Sequence, residues 1–249
     1  MIPKIIHYCW FGHGKIPKLG KKCIASWQEF FPDYEIKEWN ESNFNVNIIP
    51  YTAEAYAANK YAFVSDYARF WILYHYGGIY FDTDVEVIRP MDDMIKQGPF
   101  MGAETSVTRG ERLYINPGIG ICASANHSFI KQCMEYYESI EFSYSKGKWT
   151  KTVCEHITGL LDKQGLKQTD SIQHICGFTI YPWDYMCPIS TIGLVTRKTE
   201  NTVCIHHFAA SWSTPLKRLK KRIARLVGPS ITMMIINLKN QYKHLLSKK

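Results

Sequence analysis

The chain has 249 residues, 46% of them hydrophobic and 21% charged, which excludes a disordered or low-complexity protein and allows one large α/β domain or two small ones. No apolar run reaches the roughly eighteen residues that a membrane-spanning helix needs, so none is expected. The net charge of +8 is unevenly spread: Pro215–Lys249 holds ten Lys and Arg and no acid, leaving 20 basic and 22 acidic residues before it. Two segments follow from that break, a globular domain over 1–214 and a basic tail over 215–249.

In chain order, Lys4–Cys9 is a short β-rich run that predicts a central first strand, with Trp10-Phe11-Gly12 as the loop behind it. Leu19, Cys23, Trp27 and Phe30 have helical spacing, which predicts a helix over Leu19–Phe31 stopped by Pro32. Tyr34–Trp39 reads as a second strand. This strand–helix–strand opening predicts a parallel, doubly wound sheet with ligands beyond the carboxyl ends of its strands. A short helix over Pro50–Ala58 and a longer one over Lys60–Tyr76 come next, the latter closed by Gly77-Gly78. Ile79–Asp82, Phe100–Glu104, Gly118–Ala123, Phe178–Tyr181 and Val203–His207 are predicted strands; His127–Ile140 and Val153–Gln164 are predicted helices. From Leu216 the pattern is helical, interrupted at Gly228-Pro229.

The opening residues MIPKIIHYCWFG show no signal-peptide pattern, and the eight cysteines include no C-x-x-C pair. Free, mostly buried thiols in a cytoplasmic protein are therefore expected. Aromatics make up 14% of the chain, and an aromatic core is the first explanation for them.

The chemistry concentrates in SDYARFWILYHYGGIYFDTDV, residues Ser65 to Val85. If Asp82 and Asp84 lie on a strand, their side chains share a face while Thr83 points away. Two such carboxylates repel unless a cation lies between them or one is protonated, which suggests a divalent metal site. Asp66 and Arg69 are three apart on the preceding helix; alone they read as a local ion pair worth a few tenths of a kcal/mol. The tight Gly-Gly turn packs that helix against the acidic strand and makes a polar-ligand site the better reading. An EF-hand would accept Glu86 as a third ligand but requires Gly where Val87 stands. A haloacid-dehalogenase phosphatase would want Thr or Val at Glu86. A sugar-nucleotide transferase, holding Mn²⁺ or Mg²⁺ on a diphosphate, meets neither objection.

Ser65-Asp66-x-x-Arg69 followed by Gly77-Gly78-Ile79-Tyr80-x-Asp82-x-Asp84 resembles the DXD sugar-binding region of glycosyltransferase family 32, similar in its core to the large clostridial glucosylating toxins. Pro3–Gly12 and the later HHFAASW, His206–Trp212, are similar to other segments of that family. The resemblance implies a GT-A fold, a Rossmann-like mixed sheet flanked by helices, and a retaining transferase using a nucleotide-sugar, a UDP-sugar first, with Mn²⁺ or Mg²⁺. By resemblance, Trp10 stacks on the base, Asp66 and Arg69 bind sugar hydroxyls, and Tyr80 packs near the nucleoside. Asp82 contacts ribose and metal, Asp84 chelates the metal, and His206 or His207 is a further metal ligand. Ser211 and Trp212 approach the diphosphate, and Asn116, which otherwise passes for part of a turn, lies near the sugar. The catalytic set on this reading is Asp66, Arg69, Asp84 and Trp212. No carboxylate nucleophile stands out, which favours front-face attack. His7, His75, His127, His156 and His174 show no ligand spacing and are read as structural.

In the tail, Leu216, Leu219, Ile223 and Leu226 share one helical face amid positive charge. A basic amphipathic helix suits an anionic membrane surface; a nucleic-acid patch is the rival, though no nucleic-acid motif accompanies it, and docking of the apolar face on the domain is the third reading. The acceptor expected on this basis is a glycan or a lipid-linked oligosaccharide, in surface or capsular polysaccharide synthesis at the inner face of a bacterial cytoplasmic membrane. A metal-dependent phosphohydrolase and a non-catalytic carbohydrate- or membrane-binding protein are the alternatives from other classes.

Overall fold

The structure is a computed structural model that describes residues 2–142, 144–145, 148–149, 151–189 and 196–209. The basic tail over 215–249, with Ser211 and Trp212 before it, lies outside the described residues.

Strand β1 (Ile5–Cys9) leads through helix α1 (Lys18–Phe30) to β2 (Glu35–Trp39). Helices α2 (Pro50–Ala57) and α3 (Tyr61–Tyr76) follow, then β3 (Gly78–Tyr80) and β4 (Val85–Val87). After the short α4 (Asp92–Lys96) come β5 (Phe100–Ala103), a 3₁₀ turn at Val107–Arg109, β6 (Ile115–Ala123) and α5 (Ser128–Glu138). The pair β7 (Tyr144–Ser145) and β8 (Lys148–Trp149) precedes α6 (Val153–Asp162), β9 (Gln173–Ile175), β10 (Phe178–Tyr181), α7 (Trp183–Met186) and β11 (Cys204–His206).

Seven strands form one sheet in the order β2-β1-β3-β6-β5-β10-β9. The expected opening is present: β1 pairs in parallel with β2 and with β3. The purely parallel sheet is not. Strand β6 runs antiparallel to both β3 and β5, and β9 runs antiparallel to β10 at the edge. The chain that could have crossed from β5 to a parallel neighbour instead turns back through residues 104–114, too short a connection to carry a crossover helix. The result is the Rossmann-like mixed sheet flanked by helices.

The sheet buries two apolar faces. Tyr67, Phe70, Tyr80, Phe129 and Tyr137 pack with α2, α3, α5 and α6 on one side. Ile6, Trp27, Ile79, Phe81 and Met186 pack on the other, against α1, α7 and the small β4–β11 ladder. Ile79, Tyr80 and Phe81 alternate between the two layers, as the period of a strand requires. The high aromatic content is therefore mainly core.

Two local features set the position of the functional edge. Helix α3 ends at Gly77 with φ 64°, and Gly78 follows at φ 101°, a pair of positive values that lets the chain reverse directly into β3. In β6 the register against β5 jumps from Met101↔Ile121 to Gly102↔Asn116, so residues 117–120 form a bulge. Pro117 has no N–H to lose there, and a bulge is where a strand interior tolerates it. Asn116-Pro117-Gly118 is thus a bulged strand and not a free turn.

Candidate active site

Because β1, β3 and β5 point the same way while β6 opposes them, the last residues of the first three and the first residues of β6 meet at one edge. A cleft of about 700 Å³ opens there. Trp10 follows β1, the Asp82-Thr83-Asp84 triplet follows β3, Glu104 follows β5 and Asn116 begins β6; all line it.

The triplet is not on a strand. Strand β3 stops at Tyr80, and the Val85 N–H donates to the Asp82 carbonyl at 3.0 Å, closing a turn. The two carboxylates share the cleft because the chain turns between β3 and β4. Strand alternation is not the cause, and Thr83, expected to point away, lines the cleft with them.

Asp66 and Arg69 are not a surface ion pair. Arg69 is buried with 2% of its surface exposed, and its Nη2 lies 3.0 Å from Asp66 Oδ1 and 3.3 Å from Asp82 Oδ1. Its Nε donates to the Ser65 carbonyl at 3.1 Å. One guanidinium thus ties the helix to the acidic turn, the task for which a planar fork of donors is suited. Burial pushes the Asp66 carboxyl up to about 7, opposed by the Arg69 charge and reinforced by Asp82. Arg69 Nη1 is buried with no hydrogen-bond partner among the described residues. Tyr80 lies beneath the cleft and outside its wall: it is 1% exposed, and its hydroxyl donates to Asp82 Oδ1 at 3.0 Å. It meets Asp82, where packing against a nucleoside had been expected.

The β4–β11 ladder pairs Val85 with His206 and so brings His206 beside Asp84. His206 Nε2 is 3.4 Å from Asp84 Oδ1, and the Ala209 N–H donates to Asp84 Oδ2 at 2.7 Å. Burial works to raise the Asp84 pKa, but the His206 charge and hydrogen bond and the Ala209 N–H outweigh it and hold Asp84 at about 2. Burial works to lower His206; its Asp84 partner, with Glu104 and Asp82 beyond, raises it above the ordinary histidine value. The adjacent histidine faces elsewhere: His207 Nε2 meets Glu86 Oε2 at 2.7 Å, and Glu86 also takes Lys22 at 2.7 Å. Of the two candidates, His206 is the one in the cleft, and Glu86, considered as a third ligand, is engaged outside it.

Trp10 is half-buried in the wall, its indole N–H donating to the Gly14 carbonyl. Asn116 bridges the floor: its Oδ1 accepts from the Gly118 N–H at 2.7 Å and its Nδ2 donates to Glu104. Sequence reasoning missed Glu104, Tyr114 and the α6 entrance at Thr152, Cys154 and Glu155, which complete the far wall. Among the histidines read as structural, His7 is buried against the Gly77 carbonyl at 2.9 Å, and His156 bonds the Tyr136 hydroxyl at 2.7 Å.

For a divalent metal the donor set is Asp82 and Asp84, each with lone pairs beyond its protein bonds, and His206, whose Nδ1 is buried without a partner among the described residues. Among the described residues no three His, Cys, Asp or Glu are grouped as a ready metal cage. Two hard carboxylates completed by diphosphate oxygens and water fit Mg²⁺ or Mn²⁺, which are bound in that manner.

The fold and cleft define an α/β protein with an acidic, arginine-braced site at the carboxyl edge of its sheet. Residues 17–101 match the family described as "Glycosyltransferase sugar-binding region containing DXD motif", and the matched segment contains Asp66, Arg69, Asp82 and Asp84. Among curated proteins, inositol phosphoceramide mannosyltransferase 1 of Schizosaccharomyces pombe is 30% identical over 109 residues, 40% of this chain and 33% of that protein. Inositol phosphoceramide mannosyltransferase 3 of the same organism is 35% identical over 98 residues, 38% of this chain and 27% of that protein. The chain thus spans about a third or less of the length of these relatives. Among solved structures, PaToxG glycosyltransferase aligns at a TM-score of 0.49 with 18% identity, covering 66% of this chain and 70% of that one.

Proposed function

We propose that the protein is a metal-dependent, retaining glycosyltransferase that moves a sugar from a nucleotide-sugar to a hydroxyl of a glycan or lipid-linked acceptor. The observation that carries this reading is the convergence of Asp66, Arg69, Asp82 and Asp84, all within the matched sugar-binding region, on one cleft. A volume of about 700 Å³ lies within the range of about 300–1,000 Å³ typical of small-molecule and cofactor pockets.

Asp82 and Asp84, with His206 beside them, would hold Mn²⁺ or Mg²⁺, which neutralises charge on the departing nucleoside diphosphate as a Lewis acid. Arg69 and Asp66, which line the cleft together, would hydrogen-bond donor-sugar hydroxyls. Trp10 presents an aromatic wall to the base. In front-face transfer the acceptor oxygen bonds to the anomeric carbon as the bond to the diphosphate breaks. The leaving oxygen keeps the electron pair and takes the hydroxyl proton. Most of the acceleration then comes from positioning and from fixed charge around the leaving group.

A thermal-shift screen of UDP- and GDP-sugars, with Mn²⁺ or with chelator, tests the reading. GDP-mannose belongs in the panel because the Schizosaccharomyces pombe relatives are named mannosyltransferases. Metal-dependent stabilisation by one donor is expected, abolished by Asp84→Ala; full donor turnover in metal-free buffer would sink the mechanism. We further infer a peripheral location on the inner face of the cytoplasmic membrane, in surface polysaccharide synthesis, from the ten basic residues of 215–249. Equal liposome binding by the full chain and by a chain ending at Thr214 would remove that part.

A further inference from the structure

We propose that Glu104 marks the acceptor subsite, and that it selects a neutral polyhydroxylated acceptor by accepting a hydrogen bond from one of its hydroxyls. The inference rests on the transferase reading above, because it assigns the half of the cleft that the donor residues leave over.

The other carboxylates of the cleft are committed. Asp66 and Asp82 share Arg69, and Asp84 faces His206. Glu155 closes the capping box of α6 with Thr152, its Oε2 accepting the Thr152 N–H at 2.7 Å. Glu104 differs. Among the described residues it forms no ion pair, and only neutral donors reach it: Asn116 Nδ2, and Cys154 Sγ at 3.7 Å. Both meet the same oxygen, Oε2. Its Oε1 has no hydrogen bond among the described residues and is not sealed from the cleft.

Its place in the fold separates it from the metal-binding turn. Asn116 stands between the two: Oδ1 accepts from Gly118, the residue that backs Asp82, and Nδ2 holds Glu104. Around Glu104 are Tyr114, Asn116 and the first turn of α6, so one wall offers an aromatic ring, an amide and a carboxylate. A carboxylate fixed from behind by neutral donors, with one oxygen open to a cleft, accepts strongly from hydroxyls. Its negative charge, with no ion-pair partner among the described residues, disfavours an anion there, which gives selection by exclusion as well as by attraction.

Glu104→Gln keeps the shape and the oxygen that Asn116 grips while removing the charge. Calorimetry of the full chain with Mn²⁺ and the donor found in the screen is done first. Failure of the wild type to bind any donor would sink the transferase reading itself, independently of Glu104. With a donor in hand, transfer to neutral methyl glycosides and myo-inositol is compared with transfer to methyl glucuronide. The variant is expected to bind donor within twofold of wild type and to lose at least tenfold in kcat/KM for the neutral acceptor. Its discrimination against the glucuronide should shrink by a similar factor, and Glu104→Asp should recover part of both. A drop in donor affinity equal to the drop in transfer would make the residue structural. Unchanged acceptor kinetics would overturn the proposal. So would a panel in which no neutral polyol is glycosylated or competes with water for the donor. A glycosyl adduct on Glu104 after incubation with donor alone would also overturn it, placing the carboxylate at the anomeric carbon instead.

Discussion

Gly118 and Asp82 are held face to face. The Asp82 N–H donates to the Gly118 carbonyl at 2.8 Å, and a Cβ on Gly118 would collide with Asp82 Oδ2 and come within 3.0 Å of Asn116 Oδ1. The position of the first carboxylate of the triplet therefore depends on the absence of a side chain one strand away. Gly118→Ala is expected to displace that carboxylate while the sheet still forms, at an overpacking cost of about 1–3 kcal/mol. Mn²⁺-dependent nucleotide binding should weaken by roughly tenfold or more, about 1.4 kcal/mol. Titration calorimetry with UDP and Mn²⁺ checks this; wild-type affinity in a folded variant would show that the bulge absorbs the methyl group.

Arg69 makes the second prediction, this time about stability. Removing it leaves the Asp66 and Asp82 carboxylates without their shared cation, one of them deeply buried. Arg69→Met should cost about 3–5 kcal/mol, the range for breaking one side of a buried ion pair. Arg69→Lys should recover only part of it, because one ammonium cannot reproduce the fork. Denaturant midpoints of the three proteins at one pH decide the matter.

Asp66 gives that loss a pH signature. Its folded pKa is raised to about 7 from an unfolded value near 3.8, so the folded state binds the proton more tightly. Its contribution is complete below the unfolded pKa and is lost as pH rises through about 7. Between these values wild-type stability should fall with rising pH more steeply than that of Asp66→Asn. Parallel slopes for the two proteins would mean that Arg69 holds Asp66 ionised throughout.

Much of the acidic, arginine-braced part of the cleft was legible in the sequence because it is local. Asp66, Arg69, Asp82 and Asp84 lie on consecutive elements joined by a Gly-Gly turn, so spacing alone brings them together. The alternation argument for the triplet assumed a strand where the chain turns, and it reached the right grouping by the wrong geometry. His206 and Asn116 entered through resemblance. Their orientation depended on the β4–β11 ladder and on the β6 bulge, pairings that hydrophobic patterning does not encode. Glu104 was hidden for the same reason. It follows an ordinary apolar strand, FMGA, and only the antiparallel return of β6 brings it to the same cleft as the triplet.

Asp84 and His206 supply the last prediction. Asp84 is held at about 2 and His206 is raised above its ordinary value by Asp84, so in metal-free protein the two favour each other's charged forms. The Asp84 contribution is present above the unfolded carboxylate pKa and is lost as pH falls through about 2. That of His206 is present below 6.5 and is lost as pH rises through its elevated folded value. Metal-free protein should therefore lose melting temperature on the alkaline side of that value, and His206→Gln should remove the dependence while lowering stability at neutral pH. The imidazolium also opposes a cation on Asp84, so Mn²⁺ affinity should rise over the same alkaline window, with proton release on binding. Calorimetry in two buffers of different ionisation enthalpy measures that proton directly. A proton count of zero, with affinity flat across the window, would mean that His206 is neutral beside Asp84 and that the pair is only a hydrogen bond.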